Sequence, residues 1–329
     1  MYQTCAKEIP NQHKLKKQSL YTNGKLLITG EYLVLQGALA LAVPTVMGQQ
    51  LDVSMRREGD GKTGSLLSWK SYYEDDCWFE VEFSLPDLEV KATTDEKKAL
   101  FLQQLLSEAN RLNADIFRKG HSFTLETKLD FHPGWGLGSS SSLISMLAEW
   151  FRIDSYELFR KTQKGSGYDI ACATSDSPLW YRLVLGSPIR QRVSFDPPFK
   201  ENIAFVYSGK KQDSAAAVNH YLTQKNVADV DKARISQIGR DITTVNKLAE
   251  FNALLDEHEE IMSGILDIPK IKDLHFSDFP GSIKSLGAWG GDFLLASSEI
   301  GFNQIKPYFS KKGLDIVFSF DHLVLGAKS

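Results

Sequence analysis

The ten residues Pro133-Gly134-Trp135-Gly136-Leu137-Gly138-Ser139-Ser140-Ser141-Ser142 constrain this chain more than any other stretch. Gly134, Gly136 and Gly138 alternate, which lets the backbone curl tightly and come close to a ligand. The serines then open an apolar run, Ser141 to Phe151, that reads as a buried helix. A helix start leaves backbone N–H groups unpaired and carries the positive end of the helix dipole, so it suits a polyphosphate. Serine hydroxyls add donors, and one can ligate a Mg²⁺ ion that travels with the phosphates. A Gly-rich turn capped by serine is also a common structural device, so the loop alone leaves both readings open.

Other phosphate motifs fail on spacing. Gly61-Lys62-Thr63 imitates the end of a P-loop, but the pattern requires glycine where Arg56 stands. A dinucleotide fingerprint starting at Gly134 and Gly136 would need glycine at Ser139. The G-x-S-x-G elbow of serine hydrolases is absent.

At 329 residues the chain has room for two domains, given roughly 100–200 residues per domain. A net charge of −3 gives no general attraction to nucleic acid or anionic lipid, so positive charge for an anionic ligand must be local. Cys5, Cys77 and Cys172 are odd in number and lack C-x-x-C spacing, which argues against a disulfide framework or zinc site and fits a reducing cytoplasm. The first twenty residues lack the apolar run of a signal peptide. The most apolar stretch, Leu26 to Val43, is broken by Gly30, Glu31, Gln36 and Gly37 and makes a poor membrane span. A cytoplasmic protein acting on a small molecule, monomeric or homodimeric, with no nucleic-acid or membrane partner, is the expectation.

Strand-like runs are expected at Lys25–Thr29, Tyr32–Leu35, Gln50–Met55, Trp78–Phe83 and His121–Phe131. A helix is expected over 95–118 with Thr94 as its N-cap. Prolines 188, 197 and 198 punctuate the chain. Beyond them a strand at Ile203–Tyr207 precedes helices near 213–223, 231–250 and 253–265. A strand–Gly-loop–strand over 283–297, a helix near 302–312 and a strand at Asp315–Phe320 complete the pattern. Strands and helices mix without a βαβ period, which favours α+β over a doubly wound sheet.

Three regions, in order, resemble the motifs of the GHMP kinase superfamily, whose members phosphorylate galactose, homoserine, mevalonate and phosphomevalonate. Asn23 to Leu35, continuing through Gly37 to Ala42-Val43-Pro44, is similar to the first motif. Gly136-Leu137-Gly138-Ser139-Ser140 is similar to the second, and Lys284 to Asp292 resembles the third, Gly-rich motif. Two details resemble the mevalonate and phosphomevalonate kinases in particular. Tyr32 stands where mevalonate kinase usually has histidine, and Gly165-Ser166-Gly167-Tyr168-Asp169-Ile170-Ala171 is similar to a phosphomevalonate kinase run. Ser208-Gly209-Lys210-Lys211, followed by Ser214, also resembles a loop of that branch.

The resemblance implies a two-domain α+β fold: residues 1–188 a ribosomal protein S5 domain 2-like, ATP-binding domain, and residues 189–329 a ferredoxin-like domain. It implies ATP with Mg²⁺ as cofactor and a hydroxyl or phosphate acceptor, foremost phosphomevalonate or mevalonate. A kinase for a sugar or amino-acid alcohol, and a catalytically silent nucleotide binder, are the alternatives. Phosphoryl transfer requires positioning, charge neutralisation and one group to orient or deprotonate the attacking hydroxyl. Asp169 takes that last role by the resemblance, with Lys25 facing it and the γ-phosphate; on sequence alone the lysine reads better as a strand-edge residue in water, and the resemblance reverses that order. Gly134, Gly136, Leu137, Gly138, Ser139, Ser140 and Ser141 would bind the ATP phosphates, with Ser140 on the metal. Glu31 and Tyr32 would line the substrate side, Glu31 alternatively satisfying a buried turn. Gly287, Gly290, Gly291 and Asp292 would close the site, and Lys210, Lys211 and Lys284 would supply positive charge to a phosphorylated acceptor, Lys210 and Lys211 reading equally as a solvated pair at a helix start. Trp135 and Trp289 depart from the small residues usual in these motifs, and an indole in the loop would narrow the pocket or stack on a base.

Overall fold

The computed structural model describes residues 16–57, 64–117, 120–210, 221, 227–287 and 291–326. The expected helix near 213–223 therefore lies almost wholly outside the described residues. The chain divides into two compact units, Met1–Leu20 with Gln50–Lys128, and Tyr21–Gln49 with Leu129–Ser329.

The first unit is built on antiparallel strands. Strand β1 (Lys16–Thr29) begins in it, and β2 (Ala40–Arg57) ends in it. Next come β3 (Ser65–Tyr73), β4 (Asp76–Leu85), β5 (Val90–Thr93) and β6 (His121–Leu129), in the order β5-β4-β3-β6. Strand β6 carries out its alternation: Phe123, Leu125 and Thr127 are buried while the residues between them face water. Helix α1 (Glu96–Leu112) buries Leu102, Leu105 and Leu106 on one stripe. Its N-cap is Asp95, one residue after the expected Thr94: the Asp95 carboxylate accepts the Lys98 N–H at 3.0 Å, while Thr94 is engaged with the backbone of Glu80.

The second unit holds the candidate site. The expected strand at Tyr32–Leu35 is instead a turn followed by a 3₁₀ helix, Leu33–Gln36. Gly30 (φ 88°) and Gly37 (φ 87°) sit in the left-handed region at its two ends, and Tyr32 itself has φ 60°. The apolar residues that imitate a strand are buried by this compact turn rather than by pairing. Helices α2 (Ser139–Phe151), α3 (Ser155–Thr162) and α4 (Tyr168–Ala173) follow. A hairpin of β7 (Leu179–Val184) and β8 (Ser187–Arg192), turning through Leu185 and Gly186, went unread in the sequence because its outer strand is almost wholly exposed and lacks alternation.

A second sheet takes the order β10-β11-β9-β12, all antiparallel: β9 (Ile203–Tyr207), β10 (Ser282–Leu286), β11 (Phe293–Ser297) and β12 (Val317–Ser319). Strands β10 and β11 are buried on both faces. Around this sheet run α5 (Asp229–Asp241), α6 (Leu248–Leu266), α7 (Ile271–His275), α8 (Phe302–Ser310) and α9 (Phe320–Leu323). The break between α5 and α6 falls earlier than expected, because Thr243 and Thr244 turn their hydroxyls back onto the Arg240 and Asp241 carbonyls and end the helix. No helix among the described residues is long and apolar enough to cross a membrane.

Candidate active site

The Gly-Ser loop forms as its composition requires. Gly136 (φ 70°) and Gly138 (φ 97°) adopt backbone angles that a side chain would strain, and Gly138 is the N-cap of α2 with no side chain closing the helix end. The first helical bond runs from the Ser142 N–H to the Gly138 carbonyl at 3.0 Å, and the Ser141 hydroxyl donates to the same carbonyl at 2.9 Å. The preceding amides at the start of α2 thus point out of the helix end, with the positive end of its dipole behind them.

Two other segments meet this loop. Strand β1 holds Lys25 there by a bond from its backbone N–H to the Leu137 carbonyl at 2.9 Å, and the lysine stem crosses Gly138 so closely that a Cβ on the glycine would lie 2.9 Å from Lys25 Cγ. Its ammonium stands 5.9 Å from the centre of the Tyr168 ring. At the start of α4, after Gly167 (φ 79°), comes Asp169, whose carboxylate accepts the Ile170 N–H at 3.1 Å. Burial pushes the Asp169 carboxyl above its usual range, and the Lys25 charge and the backbone bond offset this only in part.

These groups line one cavity of about 270 Å³. Lys25, Glu31, Tyr32, Gly136, Gly138, Ser139, Ser140, Ser141, Asp169, Gly287 and Asp292 border it, so the three motif regions converge. Gly134, Leu137, Lys210, Lys284 and Gly291 do not border it. Lys211 and Gly290, like Trp289 and Ser214, lie outside the described residues. Phe159, Gln163, Lys164, Ser166 and Tyr168 also line the cavity and were not singled out beforehand as site residues. Their signal was available: all flank Asp169 in sequence.

Trp135 turns away from the cavity. Its ring lies 6.1 Å from Tyr207 on β9 and 5.4 Å, edge-on, from Phe318 on β12. The Tyr207 hydroxyl donates to the Gly134 carbonyl at 3.2 Å. The indole therefore anchors the loop to the second sheet and does not line the cavity.

Lys284 differs from its expected part, while Glu31 borders the cavity and is also engaged in the buried turn that is its alternative. Lys284 is wholly buried, its ammonium bound to Glu31 Oε1 and donating to the Ser285 carbonyl at 2.9 Å. It is consequently not a free cation for an acceptor. Glu31 Oε2 stands 3.2 Å from His258 Nε2. Burial alone would raise the Glu31 carboxyl, but Lys284 and His258 overcome that and hold it below the usual range. Among the described residues no cluster of three or more His, Cys, Asp or Glu side chains is arranged to hold a metal. The exposed Ser140 hydroxyl and the Asp169 and Asp292 carboxylates border the same cavity and are hard oxygen donors of the kind that suits Mg²⁺ brought in with phosphates and water.

No family model matches the chain, and no curated protein matches it in sequence. Solved structures do. The mevalonate kinase of Methanococcus jannaschii superposes with a TM-score of 0.67 at 16% identity, covering 96% of this chain and 99% of that one. The phosphomevalonate kinase of Streptococcus pneumoniae, in complex with phosphomevalonate and AMPPNP, gives 0.65 at 17%, covering 92% and 100%. The galactokinase of Lactococcus lactis, complexed with galactose, gives 0.63 at 12%, covering 94% of each. The expected α+β fold is thus one that this chain shares, over nearly its whole length, with these solved mevalonate, phosphomevalonate and galactose kinases.

Proposed function

We propose that the protein is an ATP-dependent small-molecule kinase that transfers the γ-phosphoryl group to a hydroxyl or phosphate acceptor, foremost phosphomevalonate or mevalonate. The observation that carries this is the convergence of Lys25, the open start of α2 and Asp169 on one cavity, with a carboxyl whose proton affinity is raised. Phosphoryl transfer needs those parts: donors for the phosphates, a cation against the charge that builds in the transition state, and a base near its working pH. Solved kinases of the same fold that act on mevalonate and phosphomevalonate support the choice of acceptor. The division near residue 188 into an ATP-binding part and a C-terminal part belongs to the same reading, as does cytoplasmic residence.

In this assignment the α2 amides and the Ser139–Ser141 hydroxyls bind the ATP phosphates, and Ser140 is a ligand to Mg²⁺. That ion, when bound, neutralises phosphate charge. Lys25 reaches over Gly138 toward the transferred group, and Asp169 accepts the proton of the acceptor hydroxyl. Tyr32 and Glu31 form the wall opposite, and Gly287 and Asp292 border the phosphates.

The test is ADP release from ATP-Mg²⁺ with mevalonate, phosphomevalonate, galactose, homoserine and a heptose phosphate in turn. Turnover confined to the first two supports the acceptor, and turnover confined to a sugar or homoserine replaces it. Tight ATP binding without turnover on any of them would make the protein a silent nucleotide binder.

A further inference from the structure

Behind the cavity wall lies a set of buried ionisable groups that the transfer step does not use. Glu31 comes from the turn after β1, His258 and Glu259 from the middle of α6, and Lys284 from β10. Each is at most 3% exposed. A buried ion pair is costly to desolvate and contributes little net stability compared with apolar packing, so its presence here asks for another use.

The hydrogen-bond pattern shows what the set does. His258 Nε2 faces both residues of the turn: the Gly30 N–H donates toward it at 3.1 Å, and Glu31 Oε2 stands 3.2 Å from the same nitrogen. Burial, with the Lys284 charge, holds the His258 pKa below its usual value, and the Glu31 carboxylate opposes this only in part. Lys284 holds Glu31 Oε1. Two consecutive residues, Gly30 through its amide and Glu31 through its carboxylate, are therefore gripped from α6 and β10, at the point where the backbone takes φ 88° at Gly30 and 60° at Tyr32. Tyr32 is non-glycine in that region and needs its surroundings to hold it there. Glu31 and Tyr32 are on the cavity wall.

We infer that His258 and Lys284 are positioning residues for the candidate active site: together they clamp the Gly30–Tyr32 turn, and so the part of the cavity wall that Glu31 and Tyr32 form, while neither borders the cavity itself. Glu259 sets how firmly the clamp holds. Its Oε1 lies 3.9 Å from the Lys284 ammonium, neither of its carboxyl oxygens meets hydrogen-bond geometry with a described donor, and the Ser285 backbone amide also favours its charged form. The groups around it are Lys284 from β10, Glu31 from the turn, and His258 and Asp256 on its own helix. As a neutral acid Glu259 leaves Lys284 to Glu31. As a carboxylate it competes for the same ammonium and repels Glu31.

The inference rests on the kinase reading for its effect on turnover but not for the clamp itself, so two measurements are needed. The first uses the charge-neutral pair Glu31→Gln with Lys284→Met, which removes both buried charges together and avoids stranding one. Amide hydrogen exchange over residues 30–37 should rise at least ~10-fold. The kcat should fall at least ~10-fold while KM for ATP stays within about 2-fold, as for misplacement without lost binding. A folded variant with wild-type exchange, or with faster exchange and wild-type kcat, overturns the inference. The second measurement uses Glu259→Gln and needs neither turnover nor the double variant. In the wild type, exchange over residues 30–37, corrected for intrinsic rate, should rise between about pH 7 and 9, and Glu259→Gln should abolish that rise. An equal rise in both proteins overturns the role of Glu259. If the wild type phosphorylates no acceptor, the kinase reading fails alone and exchange still decides the clamp.

Discussion

The Asp292 carboxylate packs directly on the backbone of Gly136: a Cβ on that glycine would lie 2.1 Å from Asp292 Oδ2 and 2.8 Å from Asp292 Cβ. This contact joins the Gly-Ser loop to the segment leading into β11. Because the Asp292 Cβ is itself too close, swinging the carboxylate aside does not make room, and φ of 70° adds backbone strain. Gly136→Ala should cost about 1–3 kcal/mol of stability and lower ATP affinity at least ~10-fold. Titration calorimetry with an ATP analogue checks this, and wild-type affinity would show that the loop tolerates displacement.

Asp169→Asn should keep ATP affinity near wild type and lower kcat at least ~10²-fold, the low end for loss of a general base. Near-normal turnover would rule out Asp169 as the base. The same substitution removes a carboxyl whose charged form is penalised by burial, so it should not lower the melting temperature at neutral pH.

The pH profile follows from the direction of that shift. The base works when deprotonated, and burial raises its pKa, so the acid limb of kcat/KM should lie above the ~4 of an ordinary carboxylate. Lys25 opposes the rise. Lys25→Met should therefore depress kcat more than nucleotide affinity, and also move what activity remains to a higher pH. An acid limb that stays in place would show that Lys25 does not act on Asp169.

How far the sequence reveals the site depends on the range of the interactions. The serines of α2 are legible because the glycine turn and helix start that hold them are written in neighbouring residues, whereas Lys25, Asp169 and Asp292 stand out only through the resemblance of the short motifs that carry them. The clamp is legible in neither way. His258 and Glu259 lie in Asp256-Glu257-His258-Glu259-Glu260, which reads as the solvated face of a helix. Only α6 packing under β10 buries these two, and their partners are distant: Gly30 is 228 residues from His258, and Glu31 is 253 from Lys284. The same applies to Trp135, whose partners Tyr207 and Phe318 become neighbours only when the second sheet forms. The Tyr32–Leu35 turn was misread for the opposite reason: its apolar residues match a strand, and the two flanking glycines that bend it look like strand ends.

Trp135→Ala tests the anchoring of the loop. The indole is half-buried against Tyr207 and Phe318, so its loss should destabilise the protein by about 1–3 kcal/mol, below the cost at a fully buried aromatic. Trp135→Phe should recover a good part of it. Since Trp135 does not border the cavity, the loss of ATP affinity should be smaller than for Gly136→Ala. A larger loss would mean that the indole contacts the nucleotide.

Glu259 makes stability depend on pH. Burial lifts its pKa to about 8, far above the ~4.3 of an unfolded glutamate. Between those two values the folded chain holds a proton that the unfolded chain has released, so stability falls as pH rises through that window and levels off above it. His258 runs the other way, since its pKa is lowered on folding and its contribution is lost as pH falls below the ordinary histidine value. Glu259→Gln fixes the neutral form. Melting curves taken from about pH 5 to 9 should show wild-type stability declining up to about pH 8 and flattening above it, with a shallower decline for Glu259→Gln and the variant the more stable of the two at pH 9. Parallel curves would mean that Glu259 ionises in the folded state as readily as in the unfolded chain.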